Sequence, residues 1–488
     1  MLDVSPFSEF LVELCRSEPL VSVRDGLIGK GVSIPGPFGP RQLIYADHIA
    51  SGRAIQQVET FIMERVLPFY GNSHTKASFC GEFVTSLREE ARANIARLCG
   101  ADDSFATIFA GSGATAGLNR LPHLLGVVEA ARSGPKPHVF IGPYEHHSNI
   151  LPWRESGAEV IEIPESSHGG PDLENLDLAL HAAGPNCQKI GAFSITSNVS
   201  GIVTDADEVT AVLKKHNALS TWDYAGGGPY LPIDMRAGTP FEKDSVAIST
   251  HKFIGGPGAS GILIVRKDAV RCKRPFITGG GTVLFVSSSR HDYLDDLVSR
   301  EEGGTPNILG DIRAALCFLI KDAIGESDIK RRHAALRKRA VARWCRNPDI
   351  VLLGNPEARY VLPFFAFRLR NRREGGFLHP LLVTRMLSDL HGIQARGGCA
   401  CAGPYGHRLL NICPDESLCL RDAIIERGEI AKPGWSRLNL SALLNDEKAD
   451  LIIDAVDSLP RDAETLSQNY VFDVKASRFR HVCLALGQ

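Results

Sequence analysis

Ser249-Thr250-His251-Lys252, followed by Gly255-Gly256-Pro257-Gly258-Ala259-Ser260-Gly261, decides how the chain is to be read. The residues before it, Asp244-Ser245-Val246-Ala247-Ile248-Ser249, alternate and β-branch like a short buried strand, and Gly261-Ile262-Leu263-Ile264-Val265 reads as another. Lys252 is therefore expected on a strand-to-strand turn. A lysine stem held between apolar strands is partly desolvated, which disfavours the ammonium and leaves an amine able to form a Schiff base. The small flanking residues let a flat aromatic ligand come close to the backbone. Taken by itself the run also describes an ordinary exposed turn, so its meaning depends on what accompanies it.

Composition sets the outer limits. The chain has 488 residues, 44% hydrophobic and 23% charged, which suits an ordered protein with two or three cores. A formal net charge of -2 provides no global field to attract nucleic acid or an acidic membrane, and neither is expected as a partner. No apolar run approaches a membrane span. The start, Met1-Leu2-Asp3-Val4-Ser5-Pro6, lacks the basic and apolar regions of a secretory leader, so a cytoplasmic location is expected. Twelve cysteines scattered over this length suggest free thiols rather than a disulfide framework.

Along the chain, Phe7 to Arg16 has helical spacing, and residues 25–44 are rich in Gly and Pro and read as an extended arm. Arg53 to Phe69 and Gly81 to Cys99 follow as helices, with the polar turn Gly71-Asn72-Ser73-His74 between them. The strand Phe105-Ala106-Thr107-Ile108-Phe109 runs into Gly111-Ser112-Gly113-Ala114-Thr115, a strand, small-residue loop and helix start. That arrangement presents backbone N–H groups and a helix dipole to a phosphate, and it equally describes a plain helix cap.

Strands at 137–141, 158–163, 188–195 and 218–222 then alternate with helices near 147–156, 172–182 and 206–217. This predicts a mainly parallel sheet covered on both faces, with a site at the carboxyl ends of its strands. His146 and His147, Asn198 and Asp223 each follow one of these strands. Gly279-Gly280-Gly281-Thr282 and the segment 301–307 form two further glycine-rich turns, and Asn307 to Lys321 reads as a connector helix. From about 325 the pattern changes to a smaller α+β domain. The expected organisation is thus an arm at 1–44, a large domain at 45–324 and a small domain at 325–488. The basic cluster at 330–343 has Ala and Leu on its other face and reads as a solvated helix side.

Near the end, Gln394-Ala395-Arg396-Gly397-Gly398-Cys399-Ala400-Cys401-Ala402-Gly403-Pro404-Tyr405-Gly406 is expected to be a flexible loop presenting two thiols, with Arg396 available to favour a thiolate. No second cysteine pair at zinc spacing accompanies it, so no metal site is assigned. Trp435-Ser436-Arg437-Leu438-Asn439-Leu440 alternates as a strand whose Arg437 could clamp a carboxylate.

Together these residues resemble the class V aminotransferase group of fold type I pyridoxal phosphate (PLP) enzymes, in particular its cysteine desulfurase and selenocysteine lyase branch, over roughly residues 43–460. The resemblance implies an α/β fold: a large domain with a mainly parallel seven-stranded-type sheet and a smaller C-terminal α+β domain. It implies PLP as cofactor and L-cysteine or L-selenocysteine as substrate. Lys252 would be the Schiff-base residue, with Ser249 and His251 on the phosphate side. Gly113-Ala114-Thr115 matches the phosphate loop, and Glu145-His146-His147-Ser148-Asn149-Ile150-Leu151-Pro152-Trp153 is similar to the family's EHHxNIxPW stretch, so that His146 would stack on the cofactor ring and serve as proton donor. Asn198 would contact the ring and the substrate. Asp223 would pair with the pyridine nitrogen, and Thr282 would reach the phosphate of a neighbouring subunit, implying a homodimer. Cys401, in an R-x-G-x-x-C-A-x-P pattern, would accept sulfur as a persulfide for transfer to an acceptor protein or small thiol, and Arg437 would hold the substrate carboxylate.

Three features depart from the family pattern. Gly226 stands where a Gln or His usually bonds the cofactor's phenolic oxygen; Cys399-Ala400 replace a common histidine pair, so that Cys399 could resolve the persulfide or act as nucleophile itself; and residues 406–434 form an added segment. Two other readings stay open. One is another class V reaction, such as transamination, epimerisation or C–S lysis, with Cys401 incidental; the other is a PLP-bearing scaffold serving a partner.

Overall fold

The computed structural model describes residues 5–73 and 75–485; His74 of the expected polar turn and Met1–Val4 lie outside them. The chain divides into two compact units. The first comprises the N-terminal residues up to Ile28, Ser51–Thr196 and Val203–Glu326; the second comprises Gly29–Ala50, Ser197–Ile202 and the chain from Ser327 onward.

The first unit is built on a seven-stranded sheet. Its strands are β1 (Phe105–Gly111), β2 (His138–Ile141), β3 (Glu159–Glu162), β4 (Lys189–Ser194), β5 (Leu219–Asp223), β6 (Ser245–Ile248) and β7 (Gly261–Arg266), in the order β1-β7-β6-β5-β4-β2-β3. β7 pairs antiparallel with both β1 and β6, while the other pairings are parallel. Helices include α1 (Phe79–Leu98), α2 (Gly113–Leu124) and α3 (Ile308–Ile324). Strands covered on both faces need apolar residues throughout rather than in alternation, and β6 and β7 are buried over nearly their whole length. Parallel strands share a carboxyl end, and β7, reversed, begins at that same edge, where Gly261 pairs with Gly111. The expected mainly parallel α/β sheet is what forms.

A hairpin of β8 (Val283–Val286) and β9 (His291–Tyr293) stands outside this sheet. The predicted helix over Arg53–Phe69 is shorter: Gln56–Phe61 is α-helical and passes into a π-turn at Ile62–Val66 and a 3-10 turn at Leu67–Phe69, since Pro68 lacks the N–H that would continue the ladder. Pro152 likewise divides the expected 147–156 helix into a 3-10 turn, His147–Asn149, and a short helix, Leu151–Glu155.

The second unit holds a four-stranded antiparallel sheet of β10 (Ile350–Leu353), β11 (Phe364–Leu369), β12 (Arg396–Gly398) and β13 (Trp435–Asn439), ordered β10-β11-β13-β12. Helices α4 (Glu326–Trp344), α5 (Pro380–His391) and α8 (Asp446–Leu466) contribute to its core around Trp344, Phe365, Phe367, Met386 and Ile452; α6 (Gly403–Leu409) and α7 (Pro414–Arg427) precede α8 in the chain. Residues 25–44, expected as an arm, include a short pairing of Ser33–Ile34 with Arg41–Gln42. Arg396–Gly398, expected in a flexible loop, is an edge strand, because its backbone groups pair with β13. None of the residues of α7 is buried. Among the described residues no helix is long and apolar enough to cross a membrane, and no disulfide is present.

Candidate active site

Within the first unit, the carboxyl edge of the sheet collects most of the expected residues. β6 ends at Ile248 and the chain turns through a 3-10 segment, Thr250–Lys252, before β7. The Ser249 hydroxyl accepts the Ala114 N–H at 2.9 Å, tying the lysine turn to the first turn of α2. Gly113, at φ 61°, faces the His251 ring so closely that a Cβ there would lie 2.9 Å from Cε1, and a Cβ on Gly261 would meet the Gly113 carbonyl oxygen at 2.1 Å. These glycines let the helix start, the lysine turn and β7 converge.

Thr115, on the exposed side of α2, shares a 2.8 Å hydrogen bond with the Ser148 hydroxyl. The Ser148 N–H donates to His146 Nδ1 at 3.1 Å, which leaves the ring proton of a neutral His146 on Nε2. Thr282 is buried, and its hydroxyl donates to the Gly279 carbonyl at 2.7 Å.

Asp223 ends β5 and is 4% exposed. Its carboxylate accepts the Ala225 N–H at 2.7 Å, while burial raises its pKa against that bond and the nearby charge of Lys252. A buried carboxylate at the edge of a mainly parallel sheet, within electrostatic range of a lysine, suits a cationic ring nitrogen, and the small-residue start of α2 suits a phosphate. The residues of this unit therefore fit PLP.

Two residues at this edge were given no role from the sequence. Glu145 is buried and accepts the Ser194 N–H at 2.8 Å, the Ser194 hydroxyl at 2.6 Å and the Asn149 side chain at 2.6 Å; burial pushes its pKa up to about 7. It fixes the His146 turn to β4 from below. Lys321 sits among Ala, Leu and Ile of α3, and its ammonium donates to the Gly228 carbonyl at 2.7 Å and to Leu231. Burial lowers its pKa to about 8. It anchors the turn that begins beyond Gly226, where the family pattern has a cofactor-bonding side chain.

Asn198, Cys399, Cys401 and Arg437 belong to the second unit. Arg437 is 4% exposed; Nη1 donates to the Asn198 carbonyl and Nη2 to Asp47, each at 3.0 Å. Asp47 also accepts from Arg396 at 2.9 Å, so Arg396 is engaged with a carboxylate rather than reserved for a thiol. Asn198 Nδ2 donates to the Ala400 carbonyl at 2.8 Å. The Asn198 Oδ1 and the Arg437 Nε are buried without a protein partner among the described residues. Cys401 is exposed and Cys399 half-buried.

The Aminotransferase class-V family model matches residues 44–412, and the chain belongs to that family of PLP-dependent enzymes. A probable cysteine desulfurase from Streptomyces coelicolor is 27% identical over 368 residues, covering 74% of this chain and 84% of the relative. A probable cysteine desulfurase from Pyrococcus abyssi is 27% identical over 379 residues, covering 76% and 87%. Among solved structures, the apo cysteine desulfurase from Thermococcus onnurineus shares the fold with a TM-score of 0.71 at 23% identity, over 86% of this chain and 95% of that one. The cysteine desulfurase CsdA from Escherichia coli does so with a TM-score of 0.68 at 20% identity, over 91% and 98%.

Proposed function

We propose that the chain is a PLP-dependent cysteine desulfurase that converts L-cysteine to L-alanine and takes the sulfur onto Cys401. The observation that carries this reading is the buried Asp223 carboxylate within electrostatic range of Lys252, whose turn is tied through Ser249 to the small-residue start of α2, in a chain whose relatives bear that name. Lys252 would hold the cofactor covalently, with Asp223 at its ring nitrogen, His146 and Asn198 at the ring, and Ala114, Thr115, Ser249 and His251 at its phosphate. Thr282 would serve the phosphate of a second copy in a homodimer. Once bound, the cofactor supplies an acceptor for the electron pair left at the substrate Cα.

The amine of Lys252 moves the Cα proton, and Arg437 orients the substrate carboxylate, with Asp47 balancing the guanidinium until that carboxylate arrives. The Cys401 thiolate attacks the substrate sulfur. A sulfur–sulfur bond forms, the carbon–sulfur bond breaks with its electron pair going to carbon, and that carbon takes a proton, for which His146 is the donor. Alanine leaves, and the Cys401 persulfide passes its outer sulfur to an acceptor protein or a small thiol.

The test is incubation of the holoenzyme with L-cysteine, measuring alanine and mapping the added sulfur by mass. Cys401→Ser should abolish both sulfide release with a reductant and the persulfide. Sulfide release that survives the substitution would sink the mechanism. The exposure of Cys401 and the glycine at 226 favour a second reading, another class V reaction with Cys401 incidental, and it predicts turnover untouched by Cys401→Ser.

A further inference from the structure

The added segment re-enters the small sheet through Lys432-Pro433-Gly434, immediately before β13. Gly434 lies against the peptide of Gly398, so that a Cβ on it would come within 2.6 Å of the Gly398 carbonyl carbon, and the next residue, Trp435, is the register partner of Gly398. The returning limb is thus fixed beside the segment that leads into the two thiols. That segment is strained: Ala400 and Cys401 are consecutive non-glycine residues at φ 53° and 55°. The bond from Asn198 to the Ala400 carbonyl helps to hold the turn.

Two cations, Arg437 and Lys432, lie within electrostatic range of the turn. Arg396 on β12 is paired with Asp47, and Arg437 on β13 senses the Cys401 charge but is bound to Asp47 and the Asn198 carbonyl. From the returning limb comes Lys432, 38% exposed, whose ammonium pairs with Glu429 and lies within electrostatic range of both Cys399 and Cys401. Its partner is an exposed carboxylate three residues back, a pair that solvent screens and that exchanges readily.

We propose that Lys432 is a positioning residue for the Cys401 sulfur, its ammonium moving between Glu429 and the anionic sulfur of the thiolate and of the persulfide. The added segment thereby supplies a cation beside a turn where this chain has Cys399-Ala400 in place of a histidine pair. This inference rests on Cys401 as the sulfur acceptor, and it is tested by a readout independent of turnover.

In the holoenzyme, the rate of iodoacetamide alkylation at Cys401, followed by peptide mass at pH 7.5, should fall roughly three- to tenfold in Lys432→Ala. Lys432→Arg should restore it to within about twofold, because the charge is kept. Glu429→Gln, which releases the ammonium, should raise it. Desulfuration should fall in kcat for Lys432→Ala with the KM for L-cysteine and the cofactor absorbance unchanged. An unchanged Cys401 alkylation rate in Lys432→Ala, or no recovery in Lys432→Arg, overturns the proposal. Turnover that survives Cys401→Ser instead overturns the desulfurase mechanism, and the alkylation series is read separately from it.

Discussion

Asp223 shows how one residue gains its chemistry from where a strand stops. On β5 it is buried, with a backbone N–H and the charge of Lys252 to offset the desolvation that raises its pKa. A cationic ring nitrogen would complete that balance. Asp223→Asn should therefore bind the cofactor with its ring nitrogen unprotonated and lose about two to three orders of magnitude in kcat. Stopped-flow absorbance with L-cysteine would check it, and wild-type rates in the variant would refute the pairing.

His251, packed over Gly113, has its pKa lowered to about 4, first by burial and then by the charge of Lys252. The unfolded chain takes up this proton near 6.5 and the folded chain only near 4. Its contribution to stability is thus full above pH 6.5 and is lost as the pH falls toward 4. Melting temperatures measured from pH 7.5 to 4.5 should fall less steeply in His251→Gln than in the wild type. The comparison has to be with the wild type, since buried His333, lowered to about 3, adds a loss of the same sign in both.

At the scale of elements, the first unit is braced by an ion network between helices. Arg88 on α1 donates to Asp311 on α3 at 2.7 Å and to Glu302 at 2.5 Å, and Arg92, one turn on, reaches Glu302 at 2.7 Å. Glu302 also accepts the Phe109 N–H of β1 at 2.6 Å, so α1 and the outermost strand share one carboxylate, and Arg88 links α3 to it through Asp311. Removing one partner strands buried charge. Arg88→Met should cost about 3–5 kcal/mol in denaturant unfolding; a loss under 1 kcal/mol would mean that water or Arg92 compensates. The network was not readable from the chain, because Arg88 and Arg92 look like the polar face of an amphipathic helix until Glu302 and Asp311 are folded against them.

For the whole molecule, the exposed apolar surface bears on assembly. The hairpin after Thr282 exposes Leu284, Phe285 and Val286 at 75%, 51% and 61%, with Ile277 nearby in sequence at 51%. Apolar groups so exposed on one short stretch are expected to be covered by another surface. The homodimer proposed with Thr282 supplies one. Leu284→Asp combined with Phe285→Ser should shift the holoenzyme in sedimentation from about twice 53.0 kDa to a single chain. A wild-type protein that already sediments as a monomer would remove Thr282 from the cofactor site. Net charge has no part in this, since -2 over the whole chain is too small to steer or oppose association.

Local pattern was enough to determine the alternation of strands and helices from residue 105 to 266, the position of Lys252 between two strands, and the placement of His146 after a strand and of Asp223 at a strand's end. Each of these follows from side-chain period and turn chemistry within a few residues. Pro68 ended a helix earlier than apolar spacing alone suggested, and Pro152 divided another near its start. What tertiary structure decided were the partners that sit far apart in sequence: Asp47 between Arg396 and Arg437, Glu145 under the His146 turn, Lys321 on the Gly228 carbonyl, and Gly434 against Gly398. A buried charge is identified by what it meets on folding, and that meeting is set by sheet order and register rather than by neighbours along the chain.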